Sequence, residues 1–84
     1  MERLREALPL SKAGERVLKV VHIAQEDVRT LRKLVSMGIM PGRRVEVLHR
    51  FPSYVIRVGN TTVALGEEVA GKIYVAAAQG EKET

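Results

Sequence analysis

The sequence has no cysteine and no tryptophan, and only one phenylalanine and two tyrosines in 84 residues. Without thiols the chain forms no disulfide, no thiolate metal site and no cysteine nucleophile. Phe51, Tyr54 and Tyr74 are its whole aromatic complement, so the core has to be aliphatic. Twelve Val, eight Leu and four Ile make that supply lean towards strands. Long apolar runs are missing as well. The longest, Ile73 to Ala78, falls well short of the roughly 20 residues of a membrane helix. The start, MERLREALPL, is too short and too charged for a secretory leader. The expected compartment is therefore the cytoplasm, with no direct membrane insertion. At 84 residues there is room for one small domain, which excludes a multidomain enzyme with its own cofactor fold.

What is present in excess is positive charge. Fourteen Lys and Arg against ten Asp and Glu give a net charge of +4. Between Val28 and Gly66 stand Arg29, Arg32, Lys33, Arg43, Arg44, Arg50 and Arg57, with Glu46 the only acid. That layout suits either a solvated surface or one basic face directed at an acidic partner, at phosphates or at nucleic acid.

Along the chain, Glu2 to Leu8 has helical composition and Pro9 stops it, which gives an N-terminal arm over residues 1–8. The domain proper spans residues 9–78, and the polar QGEKET, residues 79–84, is a disordered tail by composition. The β-branched density of Glu15 to Ile23 predicts a strand. Val28, Leu31, Leu34 and Val35 then follow helical spacing, with Glu26 and Asp27 at the start and Gly38 placed to end the helix. Met40-Pro41-Gly42 reads as a turn. Alternating Arg43 to Arg50 and Ser53 to Val58 predict two strands, and Gly59-Asn60 predicts a hairpin into Thr61 to Leu65. A helical turn over Glu67 to Ala70 and a strand over Lys72 to Ala76 complete the pattern. The fold class is mainly β: a small closed barrel of about five strands with one inserted α-helix, closure being the usual way to hide strand edges.

The chemistry of catalysis is hard to find. Gly66 to Ile73 nearly spells a phosphate-binding loop, but Ile73 follows the lysine where a magnesium-ligating hydroxyl is needed. Asn60-Thr61-Thr62 is formally a glycosylation acceptor, and the turn reading takes precedence. His22 and His49, with Glu15, Glu46 or Glu67, show no metal-ligand spacing. Ser11, Ser36 and Ser53 lack any nucleophile motif. Nucleic acid needs a basic groove with stacking aromatics, and only Phe51 and Tyr54 stand within the basic stretch. The apolar run Met37, Ile39, Met40 and Pro41 has two readings: Met37 and Ile39 cap the barrel, which is the favoured one, or the run is an adaptable apolar contact flanked by Arg43 and Arg44.

Leu10-Ser11, Gly14-Glu15, the stretch Leu31-Arg32-Lys33-Leu34-Val35-Ser36-Met37-Gly38-Ile39-Met40-Pro41-Gly42 and then Val45-Glu46-Val47-Leu48 resemble the FeoA family. Val63-Ala64-Leu65-Gly66, Glu68, Ala70 and Ile73-Tyr74-Val75 fit the end of the same pattern, so the resemblance spans residues 8–76. It implies an SH3-like barrel similar to the C-terminal domain of DtxR-type repressors. It also implies a non-enzymatic cytoplasmic accessory of ferrous iron uptake, acting on a FeoB-type iron permease with a cytoplasmic GTP-binding domain. No cofactor is required. Transition-metal (ferrous iron) binding is implied by the resemblance alone, and its site residues are unknown. The partner surface expected on this reading is Met37, Ile39, Met40, Pro41, Arg43 and Arg44, with Arg29, Arg32 and Lys33 as electrostatic guides. The alternative is a metal-responsive or nucleic-acid-binding regulator module of the same shape. Homo-oligomerisation is left open, and nucleic acid is disfavoured as a partner of this chain alone.

Overall fold

The computed structural model describes residues 7–78. Six strands alternate with two helices: β1 (Leu8–Pro9), β2 (Val17–Ile23), α1 (Val28–Ser36), β3 (Arg44–His49), β4 (Tyr54–Val58), β5 (Thr61–Leu65), α2 (Glu67–Ala70) and β6 (Ile73–Ala77). All pairings are antiparallel, in the order β1-β6-β2-β3-β4-β5. The architecture is mainly β and SH3-like, as expected, with two differences. A sixth strand is present, because Leu8 and Pro9 pair with Val75 and Tyr74. Leu8 therefore belongs to the sheet and not to a helical turn; the rest of that expected turn, up to residue 6, lies outside the described residues. The ladder also ends at β1 and β5, so hydrogen bonding among the described residues does not run all the way round.

Two irregularities bend the sheet. In β2, Leu18 and Val20 face inward, but the next inward residue is Ile23, three positions on. A register shift between Val20 and His22 against β6 accounts for the change of phase and leaves Val21 exposed. A second shift in β3, between Val47 and His49, ends the inward alternation of Val45 and Val47 in the same way. The core is wholly aliphatic, with Leu10, Leu18, Val20, Val45, Ile56, Ile73 and Val75 among its most enclosed members.

Helix α1 starts where Asp27 caps it. The Asp27 carboxylate accepts from the Arg29 amide and from the Thr30 hydroxyl, both at 3.1 Å. Replacing Asp27 with Ala is expected to cost about 1 kcal/mol, seen as a fall of roughly 4–8 °C in Tm. Asp27→Asn should recover most of it, since its amide oxygen can accept the same bond.

The helix presents a different face from the one its apolar spacing predicts. Leu34 is buried, with Thr30, Leu31 and Met37 half-buried beside it, while Val28 and Val35 are 60% and 42% exposed. Two valines of the expected apolar stripe thus stand in solvent. The helix end explains the rotation. Gly38 follows the cap residue Met37 at φ +91°, its amide donates to the Val35 carbonyl, and the Ile39 amide donates to the Leu34 carbonyl, both at 2.9 Å. This six-to-one closure folds Ile39 back onto Leu34. The contact pins the Leu34 side of the helix to the barrel.

A candidate basic and apolar contact surface

The expected strip from Met37 to Arg44 is divided by the fold. Ile39 is 0% exposed, enclosed by the closure just described, so it leaves the contact surface and joins the core. Met37 and Met40 are half-buried, and Pro41, Arg43 and Arg44 are exposed. The strip is rigidly held. The Arg43 amide donates to the Met40 carbonyl at 3.1 Å, closing a turn with Pro41 at its second position and Gly42 at φ +96° at its third, the type II pattern. The Gly42 amide donates to Val20 at 2.8 Å, and the Val20 amide donates to Arg43 at 2.9 Å. Side chains here stand on a fixed backbone.

Arg43 and Arg44 meet different surroundings. The Arg43 guanidinium lies against the glycines that end α1 and turn the β4–β5 hairpin: a Cβ on Gly38 or on Gly59 would sit 3.7 Å from it. A Cβ at either place would be in ordinary van der Waals contact with the guanidinium. Arg44 instead lines a shallow groove of about 310 Å³ on the outer sheet face, with Val17, Glu46 and Arg57. In that groove Glu46 is ion-paired to Arg16 at 3.5 Å and to Arg57 at 3.3 Å. These pairs are solvent-exposed and contribute little stability. Their consequence is that Glu46, the one acid of the basic stretch, is already neutralised.

The three guide residues are all exposed on α1. Asp27 is spent on the helix cap and α1 itself contains no acid, so Arg29, Arg32 and Lys33 have no ion-pair partner among the described residues. With Val28 and Val35 they make an outer helix face in which two exposed valines stand among three unneutralised cations. Sequence reasoning missed the valines, because helical spacing alone does not say which of two adjacent stripes is buried. The Gly38-Ile39 pair held that information.

Other candidates fare less well. His22 and His49 are exposed, and His22 tilts against Tyr74 at 6.1 Å between ring centres. Among the described residues no group of three or more His, Asp or Glu is gathered as a metal would need. With Glu46 held by two arginines, the described residues do not fit a resident transition metal. Of the two aromatics considered for stacking on nucleic acid, Tyr54 packs half-buried against the core and only Phe51, 87% exposed, stands free. The phosphate-loop likeness resolves into the four-residue α2 and the start of β6. Among the described residues no helix is long and apolar enough to cross a membrane.

Comparison with known proteins places this geometry. The FeoA domain family matches residues 8–77. Among solved structures, an iron uptake regulatory protein (FeoA) is 33% identical, covering 82% of this chain and 93% of that one at a TM-score of 0.69. A manganese-dependent transcriptional repressor is 29% identical with a TM-score of 0.75, the match covering 84% of this chain but only 41% of the repressor. Iron(II) transport protein A from Clostridium thermocellum is 25% identical with a TM-score of 0.75, over 87% of this chain and 47% of that one. No curated protein gives a significant match. A family match over nearly the whole described domain, together with a third of residues shared with a solved member, means that the chain belongs to the FeoA family, which is associated with ferrous iron transport.

Proposed function

We propose that this protein is a non-enzymatic module that docks on the cytoplasmic part of a ferrous iron permease bearing a GTP-binding domain, and thereby modulates iron entry. The observation that carries this reading is the outer face of α1 and the strip that follows it. Val28 and Val35, then Met40 and Pro41, offer a modest apolar centre, while Arg29, Arg32 and Lys33 have no partners of their own among the described residues. Contacts built on a small apolar patch with a charged rim are steered electrostatically and tend to be transient.

The reading is tested by calorimetric titration of the chain into the permease's isolated cytoplasmic domain, under anaerobic conditions, with and without GTP. Saturable binding that changes with nucleotide is expected. Arg32→Glu should weaken it about tenfold and flatten its salt dependence, since rim charges act mainly through association rate. Met40→Asp should abolish it without unfolding the protein. Binding unchanged in both variants would remove this surface from consideration.

A second reading, a sensing module of a metal-dependent regulator, is favoured by the 29% identity to the manganese-dependent repressor. Its signature would be DNA affinity falling steeply with salt. The single free aromatic makes it the weaker choice.

A further inference from the structure

The two ends of the sheet are treated differently. The β1 edge is two residues long and contains a proline, two features that blunt an edge against further pairing. The β5 edge has neither. Thr61–Leu65 carries no charge, no proline and an unbroken register with β4, so nothing in it discourages an additional strand.

The register shows which groups are offered. Gly59 and Asn60 form a two-residue hairpin turn between Val58 and Thr61, and positive φ occurs at Gly59 alone. Such a turn makes the pair that flanks it, Val58 and Thr61, a mutually hydrogen-bonded one. Alternation along the ladder then commits Val63 and Leu65 to β4 and turns the N–H and C=O groups of Thr62 and Ala64 outward. Among the described residues β4 is the one strand paired with β5, and no backbone hydrogen bond from a turn, loop or cap reaches Thr62 or Ala64. Beside this edge runs a groove of about 510 Å³, whose far wall is Thr30, Lys33, Leu34 and Met37 of α1. Its near wall runs the length of β5, from Thr61 to Leu65, so an extended segment laid in it would follow the open edge.

We infer that this groove is a docking site for an extended peptide segment of a partner protein, acidic at its ends and apolar between, which joins the sheet as a strand beside β5. Main-chain hydrogen bonds to Thr62 and Ala64 supply the affinity, as in strand addition generally. The charge of the groove wall selects the occupant. Lys33 lines it, Arg29 and Arg32 stand on the same helix, and none of the three has an ion-pair partner among the described residues. A carboxylate at the end of the segment pairs with Lys33. A second copy pairing edge to edge would instead bring an identical basic helix to the same place, and like charges disfavour it. The inference goes beyond permease docking and does not depend on which protein supplies the segment.

The test uses the full 84-residue chain, isotope-labelled, and a capped peptide Asp-Val-Thr-Val-Asp. Saturating peptide should shift the amide resonances of Thr62 and Ala64 and slow their hydrogen exchange at least tenfold. Lys33→Glu should weaken binding about tenfold. Ala64→Pro should abolish it while keeping the native circular dichroism, because the Ala64 N–H is outside the β4–β5 ladder. The same peptide N-methylated at its central amides, which leaves the protein unaltered, should not bind. The inference is overturned by shifts that miss Thr62 and Ala64, by no shift at millimolar peptide, or by equal binding of the methylated peptide. It is also overturned if the free chain already protects these amides: protection lost on dilution would mean a second copy at the edge, and protection kept would mean a segment of the same chain. Because the probe is a free peptide, failure here leaves the permease titration untouched, and the reverse also holds.

Discussion

Ile39→Ala is expected to destabilise the domain by about 2–5 kcal/mol. A chain of this length has roughly 4–13 kcal/mol of stability in total, so the variant should be partly unfolded at moderate urea. Ile39 is fully enclosed, and its position past the helix end sets both the direction of the chain and the contact with Leu34. Truncating it leaves a cavity under the last turn of α1 that the rigid Met40 to Arg43 turn cannot collapse to fill. Urea unfolding checks this directly: the midpoint should fall with the slope unchanged, as for a change of stability without a change of exposed surface. Met40→Ala, one residue on and half-buried, should cost less than about 1 kcal/mol. If the two variants were equally mild, Ile39 would have no core role and its removal from the contact surface would be unjustified. Any loss of partner binding by Ile39→Ala should vanish once the folded fraction is accounted for, whereas the loss in Met40→Asp should not.

The ease of reading this chain varied with how local the governing physics was. Turns were legible because single residues carry them: Gly59-Asn60 between Val58 and Thr61, and Pro41-Gly42 closing on Arg43, stand where turn chemistry predicts. Alternation in β3 and β4 was legible for the same reason. The phase of β2 was not, since a bulge at Val21 depends on pairing with a strand fifty residues away. The short β1 was missed because two residues hold no period, and Leu8 and Pro9 are strand only by virtue of Val75 and Tyr74. In the candidate surface, the cations were identified from charge distribution and are exposed as expected. The apolar part needs two corrections: Ile39 is core, as the barrel-cap reading has it and the partner-surface reading does not, and Val28 and Val35 stand in solvent. Both corrections have one origin, the six-to-one closure at Gly38, which rotates the buried face of α1 towards Leu34 and Met37. A glycine that ends a helix followed by an isoleucine is a sequence-level sign of that closure, and weighing it against the apolar spacing would have put the valines in solvent. The open edge of β5 could not be read from residues alone, because it depends on the order of strands.

Gly38→Ala should be more damaging than Gly42→Ala, although both glycines sit at nearly the same dihedral, φ +91° and +96°. Each substitution forces an L side chain into a left-handed conformation, at a cost of about 1–2 kcal/mol. At Gly42 nothing lies within 4 Å of the new Cβ, so that cost is the whole effect. At Gly38 the Cβ would meet Val58 Cγ1 at 3.2 Å, with both terminal nitrogens of Arg43 at 3.7 Å. Val58 is buried in β4 and has little room to give, so the close approach adds strain, for a total of about 2–4 kcal/mol. Thermal melts of the two variants measure the difference, expected as a Tm lower by several degrees for Gly38→Ala. Val58→Ala provides the internal check, because it opens the space that the new methyl needs. In that background the extra cost at Gly38 should disappear and leave only the dihedral penalty seen at Gly42. A cost that stayed the same would mean that the helix end, and not its contact with the hairpin strand, is what demands glycine. Loss of the extra cost would tie the end of α1 to β4 through one methyl contact.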